Sequence, residues 1–207
     1  SVVFDFHGDM ASNPPAGATV LNAAEGLPFS PFEPDVSSGR RINVTAWEIA
    51  EVIGYVAKLG EIQRNHVYKA LVAAYGAHGW EGTTIGATVP SLEEFGDALE
   101  VVETGARGKN ARDRLRPFTD FGLFADGATG GFRIREGHEG LVLDVSKIGL
   151  EEVQRFAASF LLRRIYREMF AWGQADRLRL AVVLDEAHRL SRDVTLPKIM
   201  KEGRKYG

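Results

Sequence analysis

The sequence predicts an α/β fold in which a mainly parallel sheet is flanked by helices and interrupted by an α-helical insertion. Two short apolar runs, at 141–145 and 180–184, lie on either side of a segment at 150–172 that has helical periodicity. This order is typical of a strand–helix–strand unit with parallel strands. A further apolar run at 2–6 adds a strand. Residues 45–116 carry helical patterns without an obvious strand, which favours an insertion or lid.

The most informative stretch is Leu180–His188, in which a short apolar run ends in two acids. A run of this length bounded by charges predicts a fully buried strand. Open α/β sheets bind their ligands beyond the carboxyl ends of the strands, where Asp185 and Glu186 would lie. In a nucleotide hydrolase the first acid would hold Mg²⁺ and the second would polarise the attacking water. A strand followed by a solvated acidic turn is the alternative interpretation.

The first strand ends in the same manner, because residues 2–6 are followed by His7, Gly8 and Asp9. Asp5, His7 and Asp9 would therefore border a ligand at the same edge, or form a turn that uses the local hydrogen bonding of Asp and Gly. The next stretch, 11–43, is rich in Pro, Gly, Asn and Ser. It predicts irregular chain with one short strand at 18–21.

Further elements follow from capping and periodicity. Capping-box patterns at Thr45–Glu48 and Ser91–Glu94 predict two helix starts, with Thr45 as the N-cap of the first. Another helix is predicted at 61–75. Residues 132–134 are predicted as a strand and residues 196–204 as a basic helix.

The composition is that of an ordinary globular protein, with 44% hydrophobic and 26% charged residues and a formal charge of −3. This net charge does not indicate nucleic-acid binding, although a protein with an acidic exterior can still contain a basic channel. No cysteine is present, which excludes disulfides and fits a cytoplasmic location. No apolar segment approaches the roughly 20 residues of a membrane helix, so no membrane association is expected.

Five segments, in this order along the chain, resemble one protein family. They are Val2–Asp9, Leu59–Gln63, Gly140–Ser146, Val183–Leu190 and Glu202–Gly207. Together they resemble the HerA/FtsK-like ATPases, which are hexameric DNA-translocating motors. Val183–Leu190 is similar to the Walker B segment of that family, and Glu202–Gly207 is the most specific piece.

The resemblance implies a partial RecA-like P-loop NTPase core with an inserted α-helical subdomain. The implied domains are a first core part at 1–44, the helical insertion at 45–116, and a second core part with Walker B at 117–207. It also implies ATP and Mg²⁺ as cofactors, DNA as a partner and a homo-oligomer, expected to be a hexameric ring. The resemblance further suggests a nuclease as a partner protein.

The resemblance also assigns roles to individual residues. Glu186 would activate water and Asp185 would bind Mg²⁺, with Asp5 and Asp9 beside the nucleotide. Arg204 would stabilise γ-phosphate charge in its own or a neighbouring subunit. Its alternative role is that of a cation at a helix C-terminus.

A cluster of basic residues lies near the end of the helical block. Its members are Arg107, Lys109, Arg112, Arg114 and Arg116. Such residues supply non-specific affinity for a DNA backbone. The alternative is a solvated basic helix face. Apart from Asp185, which already has a predicted role, the nearby sequence gives His188 no partner at zinc-binding spacing, so it is not expected to be a metal ligand.

The sequence departs from the family in having no Walker A motif. The nearest candidate, Gly105–Asn110, has Glu103 at the position of the first glycine and Asn110 in place of Ser or Thr. No apolar strand precedes it, as a phosphate-binding loop requires. We therefore expect this chain to be the central part of a longer motor and to hydrolyse ATP poorly by itself.

Two other functions remain open. Asp185–His188 spells the signature of DEAH-box helicases. Such helicases carry a Ser-Ala-Thr-like motif within the next few tens of residues, and residues 189–207 contain none. The other alternative is a non-catalytic assembly or binding module without a P-loop.

Overall fold

The computed structural model describes residues 1–34, 39–104, 111–125, 131–134 and 139–207. They belong to two compact units, which are Ser1–Leu27 with Phe132–Gly207, and Pro28–Gly131. The first unit is α/β and the second is helical. The domain boundaries at 1–44, 45–116 and 117–207 stay predictions.

The first unit contains a parallel sheet. Its strands in the described residues are β1 (Val2–Asp5), β2 (Ala18–Asn22), β3 (Gly140–Asp144) and β4 (Val182–Leu184). Their order across the sheet is β2-β3-β1-β4, and every neighbouring pair is parallel. The α/β class and the parallel sheet predicted from the sequence are therefore confirmed.

The described residues contain seven α-helices, among them the helices predicted at 61–75 and 150–172. The seven helices are α1 (Asp9–Ser12), α2 (Ile42–Val56), α3 (Glu61–Ala77), α4 (Leu92–Glu103), α5 (Ala111–Asp120), α6 (Glu151–Ala171) and α7 (Leu196–Glu202). Short 3₁₀ turns lie at Ala23–Glu25, Ala187–Leu190 and Gly203–Lys205. The unit β3–α6–β4 has parallel strands as predicted, and β1 lies between them. None of the described helices is long and apolar enough to cross a bilayer.

The core of the first unit lies around β1, β3 and α6. Both strands are buried along their whole length, since each has neighbours on both sides. Strand β4 is different, because it lies at the sheet edge and Val183 is 47% exposed. The prediction of a fully buried strand at 180–184 was therefore wrong. Residues that pair on one side only keep part of their surface in solvent.

The predicted strand at 132–134 is also absent. The backbone N–H of Ile134 donates to the carboxylate of Glu168 at 2.9 Å. The carbonyl of Phe132 accepts from the guanidinium of Arg164. These two side chains of α6 also pair with each other at 2.9 Å, although both are buried. Side-chain groups here satisfy backbone groups that a strand would have paired with a neighbouring strand.

The second unit is built from helices α2 to α5. Ser91 caps α4 as predicted, since its Oγ accepts from the Glu94 N–H and its own N–H donates to the Glu94 carboxylate. The N-cap of α2 is Arg41 and not Thr45, which lies buried inside the helix. The helix begins one turn earlier than the capping pattern indicated. Buried Glu103 accepts from the first backbone N–H groups of α5, at Ala111 and Arg112.

Candidate functional site

Acidic and amide side chains collect at the carboxyl edge of the sheet. Strands β2, β3 and β1 end in Asn22, Asp144 and Asp5, and Asp185 directly follows β4. The register places Asp144 opposite both Asn22 and Asp5. Parallel strands bring their carboxyl ends to one edge, where ligands of open α/β sheets bind. The polar strand ends seen in the sequence therefore share one edge of the structure.

Glu186 occupies an unusual backbone conformation just beyond β4. Its φ of 56° and ψ of 45° are left-handed, and the 3₁₀ turn follows directly. One carboxylate oxygen lies 3.1 Å from Nε2 of His7. The other lies 3.2 Å from Nε of Arg189 and 3.6 Å from Nε2 of His188. Both oxygens of the predicted water-activating residue thus have hydrogen-bond partners.

These contacts shift the protonation of both partners. The hydrogen bond from His7 is the main cause that lowers the pKa of Glu186, and Arg189 lowers it further. The hydrogen bond to Glu186 is the main cause that raises the pKa of His7. Side chains of the pair are 50% and 28% exposed, so solvent reaches the contact. Each group therefore favours the charged state of the other.

Arg189 is held in place from three directions. Besides Glu186, its guanidinium donates to Oε1 of Gln154 at 3.0 Å and lies 5.3 Å from the centre of the Phe6 ring. Gln154 in turn donates to the carbonyl of Ile148 at 2.8 Å. Neither Arg189 nor Gln154 was predicted as a site residue from the sequence. The spacing of three residues between Glu186 and Arg189 was the one available signal, since such residues face each other on a helical turn.

Asp5 forms the turn after β1. Its carboxylate accepts backbone N–H groups from His7 at 3.2 Å, Gly8 at 2.8 Å and Ala11 at 2.8 Å. It is fully buried, whereas Asp9 is exposed in the first turn of α1. The structure therefore gives Asp5 a turn-forming role. The predicted nucleotide contacts of Asp5 and Asp9 stay predictions.

Asp144 has a comparable role after β3. One of its carboxylate oxygens accepts from the N–H of Ser146 at 2.9 Å and from its hydroxyl at 2.6 Å. The Ser146 hydroxyl would lie 2.8 Å from a Cβ placed on Gly8. Gly8 therefore allows the turns after β1 and β3 to approach closely. Neither Asp144 nor Ser146 was predicted as a site residue, although the apolar run before Asp144 ends in an acid like the run before Asp185.

Asp185 was predicted to bind Mg²⁺. It is half-buried, and within the described ranges its carboxylate has no hydrogen bond or ion pair. The same residues contain no group of three side chains that could hold a metal ion. Mg²⁺ on phosphates is commonly held by one or two carboxylates together with water. Asp185 fits such a ligand beside a nucleotide, and the described residues do not form a metal site made of protein groups alone.

Arg204 lies away from this edge. It is exposed on the 3₁₀ turn Gly203–Lys205 and lines a cavity of about 680 Å³ with Leu180 and Tyr206. The backbone carbonyl of Gly207 accepts from the N–H of Leu180, which precedes β4. This turn is therefore at the amino end of β4. The structure does not bring Arg204 and Glu186 of one chain together.

The predicted DNA-binding residues are described only in part. Arg107 and Lys109 lie outside the described residues. Arg112 forms an ion pair with Glu100 at 2.7 Å, and Arg114 donates to the carbonyl of Lys58 at 2.9 Å. Among the residues that the structure describes, each guanidinium thus has one partner and keeps donors for others. Their contact with DNA stays a prediction.

No protein family matches this chain, and no curated protein shows significant sequence similarity to it. The resemblance drawn from motifs is therefore without support from these comparisons.

Proposed function

We propose that the chain supplies the Walker B side of a nucleotide site in an ATP-driven DNA translocase or helicase of HerA/FtsK type. One observation carries the proposal. Asp185 and Glu186 follow a parallel strand directly, at the edge where β1 and β3 also end in acids. This is the position at which open α/β sheets bind ligands. The four-stranded parallel sheet is compatible with a RecA-like core.

The two acids have different environments that suit different roles. Asp185 keeps its carboxylate available among the described residues, as a ligand of nucleotide-bound Mg²⁺ would. Glu186 has a lowered pKa, so its carboxylate is in the charged form that a base requires, although the hydrogen bonds that lower the pKa also make it a weaker base. Mg²⁺ bound with ATP would neutralise charge on the phosphates. The chain's own contribution is to hold these two carboxylates at one strand end.

The proposal requires parts that the 207 residues do not contain. No segment has the glycine spacing and Lys-Ser/Thr pair of a phosphate-binding loop. Arg204 lies at the opposite end of β4 from Glu186. In a ring of subunits it would act on a neighbour's nucleotide and not on its own. The ring, its six-fold symmetry and the DNA substrate belong to the proposal.

The test is ATP hydrolysis by the full-length protein that contains this chain, measured with and without double-stranded DNA. Glu186→Gln removes the base and keeps the size of the side chain. We expect it to lower turnover by at least about 100-fold, as loss of a general base does. Glu152→Gln is the matched control, because Glu152 is exposed on α6 and outside the site. We expect that variant to retain wild-type turnover.

Three outcomes would count against the proposal. Turnover that persists in Glu186→Gln would show that Glu186 is part of the turn after β4 and has no catalytic role. Absence of turnover in the wild-type protein, with DNA and Mg-ATP present, would favour the non-catalytic assembly module. Unwinding activity without dependence on a ring would favour the helicase alternative suggested by the sequence Asp185–His188.

A further inference from the structure

The carboxylate of Glu186 is held on both of its oxygens. His7 lies 3.1 Å from one oxygen, and Arg189 lies 3.2 Å from the other. A carboxylate acts as a general base only if it can reach the proton that it accepts. Hydrogen bonds to its charged form also make it less basic. The observed arrangement therefore opposes the role that the proposed function gives to Glu186.

We propose that His7 is a positioning residue that restrains Glu186, and that release of this contact sets the turnover of the site. The proposal rests on the proposed function, since it assigns regulation to the same carboxylate. The restraint connects the turn after β1 to the turn after β4 across two paired strands. It needs no other chain and no ligand to form.

Of the two side chains that hold the Glu186 carboxylate, His7 is the one that can move away. Its side chain is 50% exposed, and its ring has no other described hydrogen-bond or ion-pair partner than Glu186. Arg189 is anchored by Gln154 and Phe6 in addition to Glu186. The backbone after β1 is fixed by the buried carboxylate of Asp5. Rotation of the His7 side chain alone therefore breaks the contact without rearranging the turn.

The backbone of Glu186 gives a second reason for two states. A left-handed conformation is uncommon for a residue with a long side chain, and it persists only where surrounding contacts maintain it. The contacts to His7 and Arg189 are such surroundings. Loss of the His7 contact lets Glu186 leave this conformation and turn its carboxylate toward substrate water.

The test compares turnover and KM for ATP in the full-length protein and its His7→Ala variant. We expect the maximal rate without DNA to rise about 3- to 10-fold, the range expected for loss of one hydrogen bond, with KM unchanged. His7→Gln retains a donor and should give an intermediate rate. Met10→Ala, an exposed change in the adjacent α1, is the matched control and should leave both constants unchanged.

The double variant His7→Ala with Glu186→Gln separates the two proposals. It should be as inactive as Glu186→Gln alone, because the gain acts through Glu186. If turnover does not depend on Glu186, the proposed function fails. If turnover depends on Glu186 but His7→Ala leaves it unchanged or lowers it, the restraint fails and the proposed function stands.

A second readout needs neither ATP nor turnover. The ring resonances of His7 can be followed by NMR after selective histidine labelling, at one fixed pH. We expect Glu186→Gln to shift them and Glu152→Gln to leave them in place. Unshifted His7 resonances in Glu186→Gln would show that the contact does not form and would overturn the restraint.

Discussion

His7 and Glu186 connect the turns after two neighbouring parallel strands, with Nε2 of the imidazole 3.1 Å from a carboxylate oxygen. The contact depends on the pairing of β1 with β4, because that pairing places the two strand ends side by side. It also depends on the left-handed backbone of Glu186. A helical or extended residue at this position would direct its side chain elsewhere.

The first prediction concerns the pH dependence of this contact. The pKa of His7 is raised above its ordinary value of 6.5, chiefly by Glu186. Its contribution to stability is therefore complete below that value and is lost as the pH rises through the raised pKa. The pKa of Glu186 is lowered below 4.5. Its contribution is complete above 4.5 and is lost as the pH falls through the lowered pKa.

The contact should thus stabilise the fold most at pH values between these two ordinary values. The measurement is urea unfolding of the wild type and His7→Ala across about pH 4 to about pH 9. The difference in midpoint between the two proteins should be largest in that window and should decrease toward the alkaline end, where the imidazole is neutral and only its N–H can still donate. The carboxylate of Asp185 also raises the pKa of His7, and the charge of Arg189 opposes it. A difference that is constant with pH would contradict the assignment.

The second prediction concerns Asp5, whose buried carboxylate accepts three backbone N–H groups. Asp5→Ala leaves these donors without their acceptor. We expect it to lower the free energy of unfolding by about 1.5–3 kcal/mol, the range for hydrogen bonds to charged groups. Asp9→Ala is the control, because Asp9 is exposed, and should change stability by no more than about 0.5 kcal/mol. Equal effects of the two substitutions would show that Asp5 does not hold the turn.

The sequence predicted the parts of this fold that depend on local pattern. Strands β1 and β3 are apolar runs that end in an acid, and α6 carries a long apolar stripe. Each pattern reports burial of neighbouring residues, which is a local property. The polar edge of the sheet followed from the same runs, because parallel strands end on one side.

What the sequence could not predict depends on pairing between distant segments. The run before Asp185 looks as apolar as β3, yet its strand lies at the edge and leaves Val183 half exposed. The order of strands decides this, and no local pattern reports it. The same holds for Ile134, whose N–H binds the carboxylate of Glu168. The contact between His7 and Glu186 needed both the strand order and a rare backbone conformation.

The third prediction concerns Gly8, which has a φ of +88°. A Cβ at this position would also lie 2.8 Å from the hydroxyl of Ser146. We expect Gly8→Ala to destabilise the protein by about 1–2 kcal/mol, the cost of a left-handed conformation for a residue with a Cβ. Combining it with Ser146→Ala should cost less than the sum of the two single substitutions, since Ser146→Ala removes the close contact in addition to its own hydrogen bond to Asp144.

Gly96 provides the matched control for this substitution. It lies inside α4, and nothing is within 4 Å of a Cβ added there. Gly96→Ala should therefore stabilise the protein by about 0.5–1 kcal/mol, because alanine is the better helix former. Thermal unfolding of the two single variants should give shifts of opposite sign. A stabilising effect of Gly8→Ala would contradict the left-handed conformation of the turn after β1.

The last prediction concerns the buried pair of Arg164 and Glu168 on α6. Nε of Arg164 lies 2.9 Å from Oε1 of Glu168, and the Glu168 carboxylate also accepts a hydrogen bond from the N–H of Ile134. Arg164→Met leaves a buried carboxylate without its main cation, so we expect a loss of about 3–5 kcal/mol. Arg164→Met with Glu168→Leu removes both charges and should cost less than the single substitution. Urea unfolding of both variants measures this difference. A double variant less stable than Arg164→Met would contradict this expectation. It would show that the hydrogen bond from the Ile134 N–H to Glu168 contributes more to stability than is gained by removing the unpaired charge.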